Sequence, residues 1–164
     1  MIITNRCILT AVQESDYEDI KKVYLNEKVR QYLGGTVREE SIDGVLDIML
    51  NSDGNSWYFC VRYKQTNDFI GLVSLDPHHT GKDMEVSYQL IPKWWGAGYA
   101  TEVITEIIGF AFTILKLPRL VAETQVANIP SRKLLEKVGM RLISTYDRFD
   151  AEQALYYLKS CDFK

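Results

Sequence analysis

Apolar positions along the chain follow two periods, and each switch of period marks an element boundary. Residues 7–12 (CILTAV) are apolar and β-branched and read as a first strand. Ser15 then offers an N-cap, with Asp16, Glu18 and Asp19 in the first turn, which predicts a helix running to about Lys28. A glycine loop at 34–36 follows. Ile42, Val45, Leu46, Met49 and Leu50 share one face at helical spacing, so a second helix is expected over 39–50, ended by the turn residues 52–55 (SDGN). SWYFCVRY and FIGLVSL are rich in aromatic and β-branched residues and flank Thr66, Asn67 and Asp68; they read as a hairpin. Another strand covers 84–91 (MEVSYQLI). An apolar-periodic helix covers 103–115 and is broken by Leu117, Pro118 and Arg119. RLVAETQ (119–125) is a strand, 130–138 a short helix with Gly139 as its C-cap, and MRLISTY and QALYYLK two closing strands.

The predicted order is β-α-α-β-β-β-α-β-α-β-β, about seven strands and about four helices. Meander and βαβ segments alternate in it, so the fold class is α/β (mixed α+β), a mixed, mostly antiparallel sheet with helices on its faces. No linker, repeat or low-complexity run divides the sequence, and residues 1–164 are expected to form one domain.

Composition changes this picture little. Hydrophobic residues make up 46% and charged residues 25%, and the net charge is −3, which argues against nucleic acid as the main partner. The 103–115 helix is interrupted by Thr105, Glu106, Gly109 and Thr113, so no membrane span or membrane partner is expected, and the first residues lack the pattern of a signal peptide. Cys7, Cys60 and Cys161 are odd in number and far apart, consistent with reduced thiols in a cytoplasmic protein.

The stretch WWGAGYATE, residues 94–102, joins the 84–91 strand to the long helix. The first amides of a helix have no internal partner and sit at the positive end of its dipole. Gly96 and Gly98 remove the Cβ atoms that would hold an anion away, and Ala97, Ala100 and Thr101 are small; Tyr99 is the one bulky residue inside the turn. A tight turn needing positive φ accounts for the glycines equally well, and the stretch is neither a dinucleotide fingerprint nor a nucleotide P-loop.

The same segment resembles the acyl-CoA signature of the GCN5-related N-acetyltransferases, Q/R-x-x-G-x-G/A, with Trp95, Gly98 and Ala100 at the key positions. Trp95 departs from the consensus in the manner of the subgroup that acetylates ribosomal-protein N-termini (RimJ/RimL-type). IGLVSL, EVSYQLIP and AETQVANIPSRKLLEKVGM also resemble that subgroup, and the order of elements fits along nearly the whole chain. The resemblance implies a sheet whose fourth and fifth strands splay apart. It implies acetyl-CoA as co-substrate, with its pyrophosphate on the amides of Gly96, Ala97, Gly98, Tyr99, Ala100 and Thr101. Its pantetheine would pair with main chain near Leu90 and Ile91, and Asn128 and Ser131, the family's N-x-x-S, would face pantetheine and thioester. Arg132 or Lys133 would lie near the 3′-phosphate, or simply be solvated.

Amine acetylation needs a base, a polarised thioester carbonyl and an outlet for the thiolate. Glu85, Ser87 and Gln89 share one face of a central strand, so Glu85 is the first candidate for base or water relay, against the reading of a solvated carboxylate; Glu123 on the next strand is the second candidate. Many relatives carry a tyrosine where this chain has Leu135, so the usual acid is missing; the subgroup resemblance makes Ser131 the substitute. His78 and His79 are the only histidines, so no metal is expected; they read as loop residues or as lining of the acceptor pocket, which Tyr32 would border. Trp57, Tyr58, Phe59 and Tyr63 read as core and sheet surface. The expected acceptor is a primary amine, a protein N-terminus or a small molecule, and the expected protein a monomer or homodimer. A non-catalytic acyl-CoA-binding module is the alternative.

Overall fold

The computed structural model describes residues 1–163; Lys164, the last residue of the predicted domain, lies outside them. One open sheet contains eight strands: β1 (Ile2–Ile3), β2 (Cys7–Ala11), β3 (Trp57–Tyr63), β4 (Phe69–Pro77), β5 (Met84–Leu90), β6 (Arg119–Gln125), β7 (Arg141–Arg148) and β8 (Ala151–Lys159). Their order in space is β1-β2-β3-β4-β5-β6-β8-β7. Every neighbouring pair is antiparallel except β5 and β6. The described residues contain five α-helices: α1 (Tyr17–Tyr24), α2 (Glu27–Arg30), α3 (Ile42–Leu50), α4 (Tyr99–Thr113) and α5 (Ile129–Lys137).

Side-chain alternation divides the core into two layers. Phe59 and Val61 of β3 and Leu75 of β4 join Ile104, Ile107, Ile108 and Ala111 of α4 on one face of the sheet. Cys60 of β3 and Leu72 of β4 join Ile20, Val23, Ile42 and Leu46 of α1 and α3 on the other. Each such fully buried aliphatic contributes roughly 1.5–3 kcal/mol over exposure. One close approach fixes the centre of the sheet: a Cβ at Gly71 of β4 would stand 2.2 Å from the Gln89 carbonyl oxygen of β5. Only glycine lets these two backbones meet.

Three expectations change. The strand β1 is too short for any periodicity to reveal. The helix from Ser15 to Lys28 is two helices: α1 closes when Leu25 N–H reaches Lys21 O, and Asn26 Oδ1 caps α2 by accepting Val29 N–H at 3.1 Å. Ser15 is not the cap; Asp16, buried, instead accepts from Gln13 N–H and from Arg62. The long helix starts at Tyr99, four residues before its apolar period, because the glycine turn itself forms its first turn.

Candidate active site

The turn between β5 and α4 has the geometry the glycines suggested. Gly96 has φ +77° and Gly98, the N-cap of α4, φ +83°. Among the described residues no side chain caps the helix; a Cβ at Gly96 would meet nothing within 4 Å and one at Gly98 only Arg6 Nη2 at 3.4 Å. Gly96, Ala97 and Gly98 are exposed, and Tyr99, Ala100 and Thr101 are half-buried.

A residue from far away in sequence braces this turn. Arg6 sends Nη1 to Ala97 O at 2.9 Å and Nε to Glu102 Oε1 at 2.8 Å, and its guanidinium lies 3.9 Å from the centre of the Tyr99 ring. Burial works against ionisation of Glu102, but hydrogen bonds from Thr4 and Arg6 hold its carboxyl below the usual range. The one acidic group in the first turn of α4 is thereby neutralised, which leaves the helix start suited to an anion.

β5 and β6 pair only at Met84↔Leu120 and Glu85↔Val121, then diverge. Ile91 N–H is bonded to Ile70 O of β4 at 2.9 Å, so by strand alternation the main chain of Tyr88 and Leu90 points into the gap. Of the expected pantetheine partners, the Ile91 amide is thus occupied, and the Leu90 carbonyl accepts the Trp95 indole N–H at 2.7 Å. The amide of Leu90 is the group aimed at the opening.

Asn128 and Ser131 stand at the start of α5, where Asn128 Oδ1 caps the helix by accepting Ser131 N–H at 3.3 Å. Ser131 Oγ lies 2.5 Å from Tyr88 OH. Leu135, one turn on, is 1% exposed and belongs to the core. Arg132 turns back to Tyr156 OH and the Val126 carbonyl, which leaves the exposed Lys133 as the free cation of the predicted phosphate pair.

Glu85 lies where the gap opens, half-buried, directly across from Asp76 of β4. Burial, with the like charges of Glu123 and Asp76, pushes its carboxyl up from 4.5 to about 7. Glu123 behaves oppositely. Burial disfavours its charge, but hydrogen bonds from Tyr146, His78 and His79 hold it below the usual carboxylate range. His78 Nε2 and His79 Nε2 reach its Oε1 at 2.8 and 2.9 Å, Tyr146 OH donates to the same oxygen, and Arg148 Nη1 meets Oε2 at 3.1 Å. Two adjacent carboxyls are thus shifted in opposite directions, Glu123 below the usual range and Glu85 up to about 7. The histidines were expected to be isolated from other ligands. The fold gives them Glu123, with ligand atoms within 4.8 Å of one another, but the same carboxylate is also engaged by Arg148 and Tyr146.

On the α1–α3 face, a cavity of about 40 Å³ is lined by Tyr24, Met49, Tyr58, Leu72, Ser87 and Gln89. Arg30 Nη1 reaches Oε1 of the lining residue Gln89 at 2.8 Å, and the same guanidinium donates to the Leu33 and Gly35 carbonyls at 2.8 and 2.9 Å. Tyr32 does not line the cavity. Arg6, Tyr88, Tyr146 and Arg148 were not singled out in the sequence, because each acts through a partner remote in the chain.

The chain matches the family model for the Acetyltransferase (GNAT) domain over residues 6–141. It is 28% identical over 146 residues to the uncharacterized N-acetyltransferase YoaA of Bacillus subtilis (strain 168), covering 84% of this chain and 81% of that one. It is 25% identical over 158 residues to the uncharacterized N-acetyltransferase p20 of Bacillus licheniformis, covering 90% and 87%. A solved GNAT-family acetyltransferase from Bacillus anthracis has the same fold at TM-score 0.86 and 22% identity, covering 97% and 98%. So does a spermidine N-acetyltransferase from Vibrio cholerae, solved with CoA and spermine, at TM-score 0.82 and 19% identity, covering 96% and 97%.

Proposed function

The chain belongs to the GNAT acetyltransferase family, and on that premise we propose that it moves acetyl from acetyl-CoA to a primary amine by direct attack in a ternary complex. The observation that carries this reading is Glu85, a carboxyl titrating near 7, placed where β5 and β6 part. Direct transfer needs no metal and no covalent intermediate, only positioning and proton traffic. The amides of Gly96 to Thr101 would take the pyrophosphate, with Asn128 and Ser131 beside the thioester. Glu85, directly or through water, takes a proton from the acceptor ammonium. Glu123, held as an anion by Arg148, Tyr146 and the two histidines, raises the affinity of Glu85 for that proton.

The acceptor we favour is a protein N-terminus, in line with the sequence resemblance to the enzymes that acetylate ribosomal-protein N-termini; a small-molecule amine is the second reading. The proposal treats residues 1–164 as one N-acetyltransferase domain, monomeric or homodimeric. A cytoplasmic setting agrees with the free state of Cys7, Cys60 and Cys161. A non-catalytic acyl-CoA-binding module would have no use for a carboxyl poised near neutrality. The test is release of free CoA thiol across a panel of peptides and small amines. Turnover with at least one acceptor, lost in Glu85→Gln while CoA affinity persists, supports transfer; CoA binding without release on any acceptor supports the binding module.

A further inference from the structure

We propose that Tyr88 is a positioning residue that turns the Ser131 hydroxyl toward the departing sulfur, taking the place of the tyrosine that α5 lacks. The proposal rests on the acetyl-transfer reading above and adds to it the device that stabilises the leaving group.

Tyr88 sits in the middle of β5 and packs against the α4 side of the core. Its hydroxyl is 2.5 Å from Ser131 Oγ, in the first turn of α5. The bond therefore joins β5 to the helix that follows β6, the two strands that part to form the gap. Among the described residues neither hydroxyl has another side-chain partner.

Direction follows from inventory. Each hydroxyl has one proton to give and two lone pairs. Burial pushes the Tyr88 phenol up, so it keeps its proton. If Ser131 donated to Tyr88, the phenol proton would be left without a partner beside apolar side chains, a loss of about 1–3 kcal/mol. The 2.5 Å contact allows either direction, and the bond to Ser131 by itself lowers the phenol's pKa; the buried phenol's need for a partner selects Tyr88 as donor and Ser131 as acceptor. The Ser131 proton then points elsewhere, and a hydroxyl that accepts one hydrogen bond donates the next more strongly. Leu135, buried in the core, offers no hydroxyl of its own from α5.

In the reaction the C–N bond forms and the C–S bond breaks, with its electron pair going to sulfur. One proton of the ammonium goes to Glu85 before attack. The second proton lost from nitrogen balances the thiolate, which leaves as thiol. Ser131 and Tyr88 give up no proton; their chain of hydrogen bonds stabilises the negative charge on sulfur while it lasts.

The test uses the full chain and three variants, Tyr88→Phe, Ser131→Ala and the double variant, with acetyl thioesters whose thiols differ in pKa. Tyr88→Phe is expected to lower kcat about 2- to 10-fold, the worth of one hydrogen bond, with the KM for acetyl-CoA changed less than about twofold by the same reasoning. It should also steepen the dependence of kcat on thiol pKa. The double variant should be no slower than Ser131→Ala alone, because Tyr88 acts only through Ser131. An equal loss from Tyr88→Phe in both backgrounds, or an unchanged dependence on thiol pKa, overturns the proposal. CoA titration calorimetry reports whether each variant keeps its cleft. If Tyr88→Phe does not bind CoA, Ser131→Ala carries the test: an unchanged slope against thiol pKa overturns the proposal there too. Absence of thiol release by the wild-type protein on every acceptor removes the transfer reading itself, and this inference with it.

Discussion

Replacing Glu85 by Gln should inactivate the protein and make it more stable. The carboxyl is raised from 4.5 to about 7 by burial and by the charges of Glu123 and Asp76. At about 1.4 kcal/mol per pH unit, that gap corresponds to about 3 kcal/mol by which the folded state disfavours the ionised form. Its sign is fixed by linkage. The folded carboxyl binds its proton more tightly than the unfolded one, so the contribution to stability is full below about 4.5 and declines as pH rises to about 7. Above that the penalty is complete. Glutamine keeps the shape and never ionises, so Glu85→Gln should match the wild type at about pH 4 and exceed it by about 1–3 kcal/mol at pH 8, the lower figure allowing for relaxation around the charge. Urea unfolding followed by tryptophan fluorescence at both pH values measures the difference, and carboxylates that do not interact with Glu85 cancel because both proteins carry them. The same variant should lose about 10²–10⁴-fold in kcat, the usual value of a general base. A stability difference that is the same at pH 4 and pH 8 would refute the reasoning, since no buried, perturbed carboxyl would then stand at position 85.

Three further outcomes are expected. The kcat/KM of the wild-type protein should rise with pH through an inflection near 7, where Glu85 titrates, and Glu123→Gln should move that inflection to lower pH by removing a like charge; an inflection that stays put separates the two carboxyls. Arg6→Ala removes the side-chain bonds to Ala97 O and Glu102 and leaves that carboxylate without its cation at the start of α4, so CoA affinity by calorimetry should fall about 10-fold, the equivalent of about 1.4 kcal/mol, while kcat at saturation holds. Gly71→Ala places a methyl 2.2 Å from the Gln89 carbonyl oxygen and should cost about 2–3 kcal/mol, which lowers the melting temperature by roughly 4–12 °C.

Much of the fold was legible because strands and helices leave local signatures. The hairpin of β3 and β4, the strand β6 and the helix α5 stand within a residue or two of their expected places, since each carries its own period and its own turn residues. Legibility failed where no local period exists. The two residues of β1 form a strand only because β2 lies beside them. The break at Asn26 is set by a cap that competes with helix continuation, and the apolar spacing runs through it unchanged.

The sequence by itself determined that a glycine turn opens the helix after a central strand, and that Glu85 shares that strand's polar face. Both follow from spacing along one stretch of chain. Only the tertiary structure decided what those groups became. The Glu85 carboxyl is pushed up to about 7 because burial removes water and because Glu123 and Asp76 arrive from two other strands. Glu123 stays charged because His78, His79, Tyr146 and Arg148 converge on it from the loop before β5 and from β7. Arg6 braces a turn some ninety residues away, and Tyr88 finds Ser131 across the gap between β5 and β6. Charge, dielectric and hydrogen-bond direction depend on distance in space, and a linear pattern carries that distance only within single elements.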